Sequence, residues 1–211
     1  MSTRDLFEEN AEDYDRWYEE NAEVAESEGR LVESLMSAAP EPRAEIGVGT
    51  GYFAKRAGVG IGIDPAAAML RIARGRVEHL VRGTGEHLPL ADSSLGSVLI
   101  VVTICFADDP RKMLEESFRV LRKGGIAVVC VVPRDSPLGE LYIDLGRKGH
   151  RYYSRARFYG KSEVALLMRE AGFEVVEALG TLRHGLKARG PEEPSRELEG
   201  AGFVCFKGVK R

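Results

Sequence analysis

Apolar residues recur at helical intervals through the first 40 positions. Leu6, Tyr14, Trp17, Tyr18, Val24, Leu31, Val32, Leu35 and Met36 stand among Glu and Asp. That spacing predicts helix, closed by Pro40 and Pro42. From Arg43 the pattern changes to short apolar runs. They predict strands at 43–48, 59–63, 77–81, 97–102, 126–132, 173–179 and 203–208. Helices are predicted between them. One covers 66–74, with Asp64 to cap it, Pro65 at its first position and Gly75 past its end. A second covers 110–121, capped by Asp109, with Met113, Leu114, Phe118 and Leu121 on one face. A third is capped by Ser162, with Val164, Leu167, Met168 and Ala171 on a face and Gly172 at its end. The last two strands are joined by a polar loop, 185–200. The runs at 97–102 and 126–132 lack alternation and suit central parallel strands buried on both faces. Strand and helix in alternation predict an α/β fold, a parallel sheet covered by helices on both sides.

Composition narrows this little. The 211 residues suit one domain. The longest apolar run, 98–107, is far short of the roughly 20 residues of a membrane span, and the acidic N-terminus does not resemble a signal peptide. Cys105, Cys130 and Cys205 are an odd count without C-x-x-C spacing. Unpaired cysteines and a reducing cytoplasm are therefore expected, with Cys130 and Cys205 as small core residues. Gln is absent and Asn occurs only at Asn10 and Asn21, which suits a thermophile. The net charge is −3, yet residues 1–41 carry 13 acids against 3 bases. The global balance therefore does not point to nucleic acid, although a local basic patch could.

In a doubly wound sheet, ligands bind just past the strands. After the first strand stands Glu45-Ile-Gly47-Val-Gly49-Thr-Gly51, a loop whose glycines let a ligand approach the backbone. After the second stands Asp64, placed to accept hydrogen bonds from a ribose diol or to cap the next helix. After the third stands Gly83-Thr84-Gly85-Glu86-His87-Leu88-Pro89-Leu90, fit to edge an adenine. After the fourth come Thr103, Ile104 and Cys105. A dinucleotide is disfavoured, because Tyr52 stands where G-x-G-x-x-G has its third glycine.

E-I-G-V-G-T-G, G-I-D-P-A-A-A-M-L, G-T-G-E-H-L-P-L-A-D-S-S-L and R-V-L-R-K-G-G, in that order, resemble the class I S-adenosylmethionine-dependent methyltransferases. The closer likeness is to the methyltransferase type 11 group. The motifs span residues 40–132. The resemblance implies a Rossmann-like, mostly parallel seven-stranded sheet, doubly wound, with its last strand antiparallel. It implies an N-terminal helical lid at 1–40 on a cofactor-binding domain at 41–211, together one structural domain. It implies S-adenosylmethionine as cofactor, S-adenosylhomocysteine as product, and no metal. Gly47, Gly49 and Gly51 would line the methionine part, supported by Glu45. Asp64 would hold the ribose, Pro65 and Met69 would flank the adenine, and Thr84, Gly85 and Glu86 would border its edge. Thr103 would lie near the methyl. Many relatives have Asp-Ala where this chain has Thr84-Gly85, and Phe-Asp where it has Leu95-Gly96.

Methyl transfer from a sulfonium needs alignment and exclusion of water more than it needs a catalytic group. Catalytic candidates are Tyr14, Thr103 and His150. Tyr14, Trp17 and Tyr18 could cover a sulfonium by cation–π contact or simply pack the helix. His184 is a further candidate base, more simply read as solvated, and Cys105 a thiol near the active face. The segment 147–161 has six Lys or Arg, no acid and four aromatics. It could wall an acceptor site, bind RNA, or pair its bases with the acidic N-terminal helix; the last is preferred. The expected activity is methylation of an unassigned small molecule. RNA or protein methylation through 147–161, or a non-catalytic cofactor-binding regulator, are the alternatives.

Overall fold

The predicted strands form one sheet in a computed structural model that describes residues 2–187 and 190–211. The strands are β1 (Arg43–Ile46), β2 (Ile61–Asp64), β3 (His79–Arg82), β4 (Leu95–Val101), β5 (Leu121–Val131), β6 (Glu174–Thr181) and β7 (Phe203–Val209). Their order is β3-β2-β1-β4-β5-β7-β6. β1 to β5 are parallel, and β7 lies antiparallel between β5 and β6. The chain leaves β1 in both directions across the sheet, so a crevice opens where β1 and β4 part.

The unbroken apolar runs are explained by two cores. Val98 and Ile100 of β4 pack on one face with Ile46, Leu114 and Val129. Leu99 and Val101 pack on the other with Leu31, Val32, Val128 and Phe203. Successive side chains point to opposite faces, and both faces are covered.

The helices differ from expectation at their ends. The N-terminal segment is three helices: α1 (Thr3–Glu9), α2 (Ala11–Glu20) and α3 (Ala22–Met36). The two breaks fall at Asn10 and Asn21, the only asparagines of the chain. Each side chain donates to a carbonyl four residues back, Leu6 and Trp17, at 2.7 and 2.9 Å. A short polar side chain competing for backbone in this way interrupts a helix that apolar periodicity alone reads as continuous.

α4 (Tyr52–Arg56) follows the glycine loop, and α5 (Ala67–Ala73) follows β2. Ala66, not Asp64, occupies the N-cap position of α5, while Asp64 Oδ1 accepts from the Ala66 N–H at 2.8 Å. α6 (Pro110–Val120) is capped by Asp109 as expected. It ends one residue early, because β5 begins at Leu121, paired with Leu95. α7 (Pro137–Arg147) was not predicted. Ser136 caps it, accepting from the Gly139 N–H at 3.0 Å, with Pro137 in the first turn. α8 (Lys161–Glu170) starts from Gly160 rather than Ser162, with the Glu163 carboxylate accepting the Gly160 N–H. Residues 188 and 189 of the predicted 185–200 connector lie outside the described residues.

Cys130 and Cys205 are not unpaired. They face one another across β5 and β7 and are joined by a disulfide, while Cys105 is free and buried. The partners are 75 residues apart, and only the antiparallel register brings them together. The basic segment is likewise only a minor partner of the acidic helices. Asp15 pairs with Arg76, and Glu26 and Glu33 pair with Arg56 at 2.6 and 2.8 Å. Of the bases in 147–161, Arg151 alone among the described residues reaches over, to Asn10 and Asp13, beside Tyr152, whose hydroxyl donates to the Asn10 carbonyl at 3.4 Å. Among the described residues no helix is long and apolar enough to cross a membrane.

Candidate functional site

A cavity of about 440 Å³ opens past the ends of β1, β2 and β4. Its floor is the glycine loop. Gly47, Gly49 and Gly51 all have φ between +52° and +82°, a region costly for residues with a Cβ. A Cβ on Gly47 would also stand 2.2 Å from Thr103 Cγ2. Gly47 and Gly49 line the cavity. Gly51 does not: it is the N-cap residue of α4, packed toward Ala73 and Val77.

Burial shapes the chemistry of the two acids. Glu45 is 2% exposed, and its Oε2 has no hydrogen-bond partner among the described residues. Burial pushes its carboxyl well above the usual range. Asp64 accepts from the Gly49 N–H at 2.9 Å through Oδ2, and from Ala66 through Oδ1. Burial nonetheless raises its pKa to about 6, because desolvation outweighs two backbone donors. Asp64 thus ties the loop to β2 and also faces the cavity.

Pro65, Met69, Thr84, Gly85 and Glu86 line the same cavity, as does Thr103. Glu86 Oε1 accepts from the Asp108 N–H at 3.1 Å, joining two of its walls. The Thr103 hydroxyl donates to backbone carbonyls, those of Val101 and Gly47, at 2.9 and 3.3 Å. It therefore serves the loop and is poorly placed as a base. The neighbouring Val102 has φ +47°, strained for a β-branched residue, and it turns the chain off β4. Ser2, Thr3, Arg4 and Phe7 of the N-terminal segment also line this cavity, residues that the sequence did not single out within the expected lid.

A second cavity of about 180 Å³ adjoins the first. Tyr14, Tyr18, Phe53, Val102 and Phe106 line both. Trp17, Tyr142, His150, Tyr152, Tyr153 and Phe158 complete an aromatic wall. Tyr153 stacks on Tyr142 at 4.1 Å and on His150 at 4.2 Å. Burial raises the Tyr14 hydroxyl far above the ordinary tyrosine range, so it stays protonated. Burial and Arg151 lower the His150 pKa, leaving a neutral ring. The Cys105 thiol is pushed up to about 12 by burial and stays a thiol. His184 is outside both cavities, exposed and paired with Glu192. The segment 147–161 turns aromatics inward, and Arg147, Lys148, Arg155 and Arg157 line neither cavity.

Glu28 of α3 also lines the second cavity, 6% exposed. Sequence reading missed it. The signal was present: Glu28 stands four after Val24 and three and four before Leu31 and Val32, on the buried stripe of an otherwise acidic helix. Among the described residues no group of three His, Cys, Asp or Glu is arranged for a metal ion.

Comparison with known proteins agrees with this geometry. A family described as a methyltransferase domain matches residues 44–129. A protein of Methanocaldococcus jannaschii is 35% identical over 97% of this chain and 98% of its own. A demethylmenaquinone methyltransferase of Thermotoga maritima is 27% identical, covering 69% of this chain and 76% of its own. The crystal structure of an S-adenosylmethionine-dependent methyltransferase of Thermotoga maritima, described as a possible histamine N-methyltransferase, is 37% identical. It covers 99% of both chains with a TM-score of 0.91.

Proposed function

The chain belongs to the S-adenosylmethionine-dependent methyltransferases, and from that premise we propose that it methylates a small molecule held in the aromatic cavity. The observation that carries this reading is the shared wall between the two cavities. Cofactor and acceptor then meet at Tyr14, Tyr18, Phe53, Val102 and Phe106.

The larger cavity suits the cofactor on two counts. The unpartnered Glu45 Oε2 is a buried acceptor suited to the ammonium of the methionine part. Gly49 leaves its backbone open to close approach, since the nearest atom a Cβ there would meet is Tyr14 Cε1 at 3.9 Å. In this reading Asp64 accepts from the ribose hydroxyls, Pro65 and Met69 flank the adenine, and Thr84 to Glu86 form its edge. Thr103 braces the glycine loop. When bound, S-adenosylmethionine supplies a methyl group on a sulfonium whose departing thioether is neutral. The residues of this chain align the acceptor with that methyl and exclude water. Residues 1–40 act as a lid, since Phe7, Tyr14 and Tyr18 cover the cavities.

The second cavity, at about 180 Å³, has the size of a small acceptor rather than of an RNA or protein segment. The Thermotoga maritima protein of 37% identity, described as a possible histamine N-methyltransferase, points the same way, since histamine is a small amine. No Lys or Arg of 147–161 lines either cavity, which leaves the nucleic-acid alternative without support.

Calorimetric titration with S-adenosylhomocysteine tests the first step, with NAD as control. Binding of the former alone is expected. Incubation with labelled S-adenosylmethionine and a cell extract split by size tests the second. Label in the small-molecule fraction is expected; label only in RNA or protein would reverse the assignment.

A further inference from the structure

The second cavity is unusual in its charges. Glu28 and Asp13 are its charged lining residues, both acidic, and no Lys or Arg lines it among the described residues. Glu28 is buried, yet its carboxylate makes no hydrogen bond or ion pair among the described residues, and it faces the cavity. A carboxyl left without a partner in an apolar place either keeps its proton or needs a positive charge beside it. The walls are aromatic faces from α2, α7 and the 150–158 segment, and such faces attract cations. The family's cofactor does not account for Glu28, which is absent from the larger cavity.

We propose that the acceptor binds as a small organic cation, a protonated amine on a compact aromatic or aliphatic body, with Glu28 as its counter-ion; the ammonium proton passes to the Glu28 carboxylate before the neutral nitrogen takes the methyl and the thioether departs. This rests on the proposed methyl transfer and names its substrate class. Anionic acceptors such as carboxylates and phosphates are excluded by the same lining. The other titratable groups facing Glu28 agree with the assignment. Tyr14 and Tyr18 from α2, Tyr142 from α7, Tyr153 and Cys105 are all held protonated by burial. His150 is shifted toward its neutral form. None supplies a positive charge. Asp13, at the rim, is exposed and already paired with Arg16 and Arg151. Burial pushes the Glu28 carboxyl up to about 8, so it carries a proton at pH 7 that a bound cation would expel.

The test uses the full chain saturated with S-adenosylhomocysteine and three probes: benzylamine, benzyltrimethylammonium and the uncharged benzyl alcohol. Calorimetry at pH 7 in buffers of different ionisation enthalpy measures affinity and proton release together. Both cations are expected to bind at least tenfold tighter than the alcohol. Benzyltrimethylammonium has no proton of its own to lose, so release approaching one proton on its binding reports Glu28. Glu28→Gln should abolish that release and weaken the cations at least tenfold, while leaving S-adenosylhomocysteine affinity unchanged. Equal binding of cation and alcohol, no cation binding, or full cation affinity in a folded Glu28→Gln would overturn the assignment. Failure of S-adenosylhomocysteine itself to bind would instead overturn the underlying methyltransferase reading, so the two failures are separable.

Discussion

Asp64 stands between the two readings that the sequence allowed. Its spacing from the glycines suggested a ribose contact, and its place before Pro65 suggested a cap. The side chain bonds to the Gly49 and Ala66 N–H groups and still faces the cavity. Its raised pKa, about 6 against an ordinary 3.8, sets the sign of two effects. In the folded chain Asp64 holds its proton more tightly than when unfolded, so its contribution to stability is lost as pH rises through about 6. Cofactor binding runs the other way, because ribose hydroxyls donate to the ionised form. S-adenosylhomocysteine affinity should therefore be flat above pH 7 and roughly tenfold weaker at pH 5, the expected factor one unit below the pKa. Asp64→Asn should lose that pH dependence and bind about 1–3 kcal/mol more weakly by calorimetry. A wild-type affinity independent of pH would show that Asp64 serves only the loop. Glu28 and Val102 were missed for different reasons. Glu28 was legible as an acid on an apolar stripe and was passed over, whereas the strained φ of Val102 leaves no mark in composition.

At the scale of elements, the motif R-V-L-R-K-G-G proves to be a fastener rather than a ligand site. Arg119 at the end of α6 donates to the Glu116 carboxylate, to Asp92, and to the Leu88 and Leu90 carbonyls. Glu116 in turn accepts from the Leu88 N–H at 3.0 Å. The loop after β3, which forms one edge of the larger cavity, is thereby pinned to α6. Arg119→Met should destabilise the fold by about 1–3 kcal/mol in urea unfolding, since it strands Glu116 and two carbonyls. It should also weaken S-adenosylhomocysteine through the loosened Thr84–Glu86 edge; an unchanged urea midpoint would show that the network contributes nothing. Hydrophobic period found the strands and most helices correctly. It failed at Asn10 and Asn21, where side-chain bonding to the backbone overrides the apolar stripe, and at α7, whose Ser136-Pro137 start was legible but followed a strand too closely to be separated from its connector.

At the scale of the whole molecule, β5 and β7 are joined by covalent as well as hydrogen bonds. The disulfide between Cys130 and Cys205 removes the support that unpaired cysteines gave to a reducing compartment. Thiol titration in denaturant without reductant should find one thiol, Cys105, and with prior reduction three. Reduction should lower stability by about 2–4 kcal/mol, as is typical for a native crosslink. Three thiols without reductant would show the pair to be unbonded in solution. The order of elements, the parallel sheet, the glycine loop and Asp64 were determined by the sequence itself, because periodicity, capping and glycine placement act over a few residues. The register that pairs Cys130 with Cys205, the inward turn of the 147–161 aromatics, and the meeting of Glu28 with the walls of the second cavity were decided only by tertiary structure. Each joins residues tens of positions apart, and contacts of that separation arise from how whole elements pack, which no local spacing encodes.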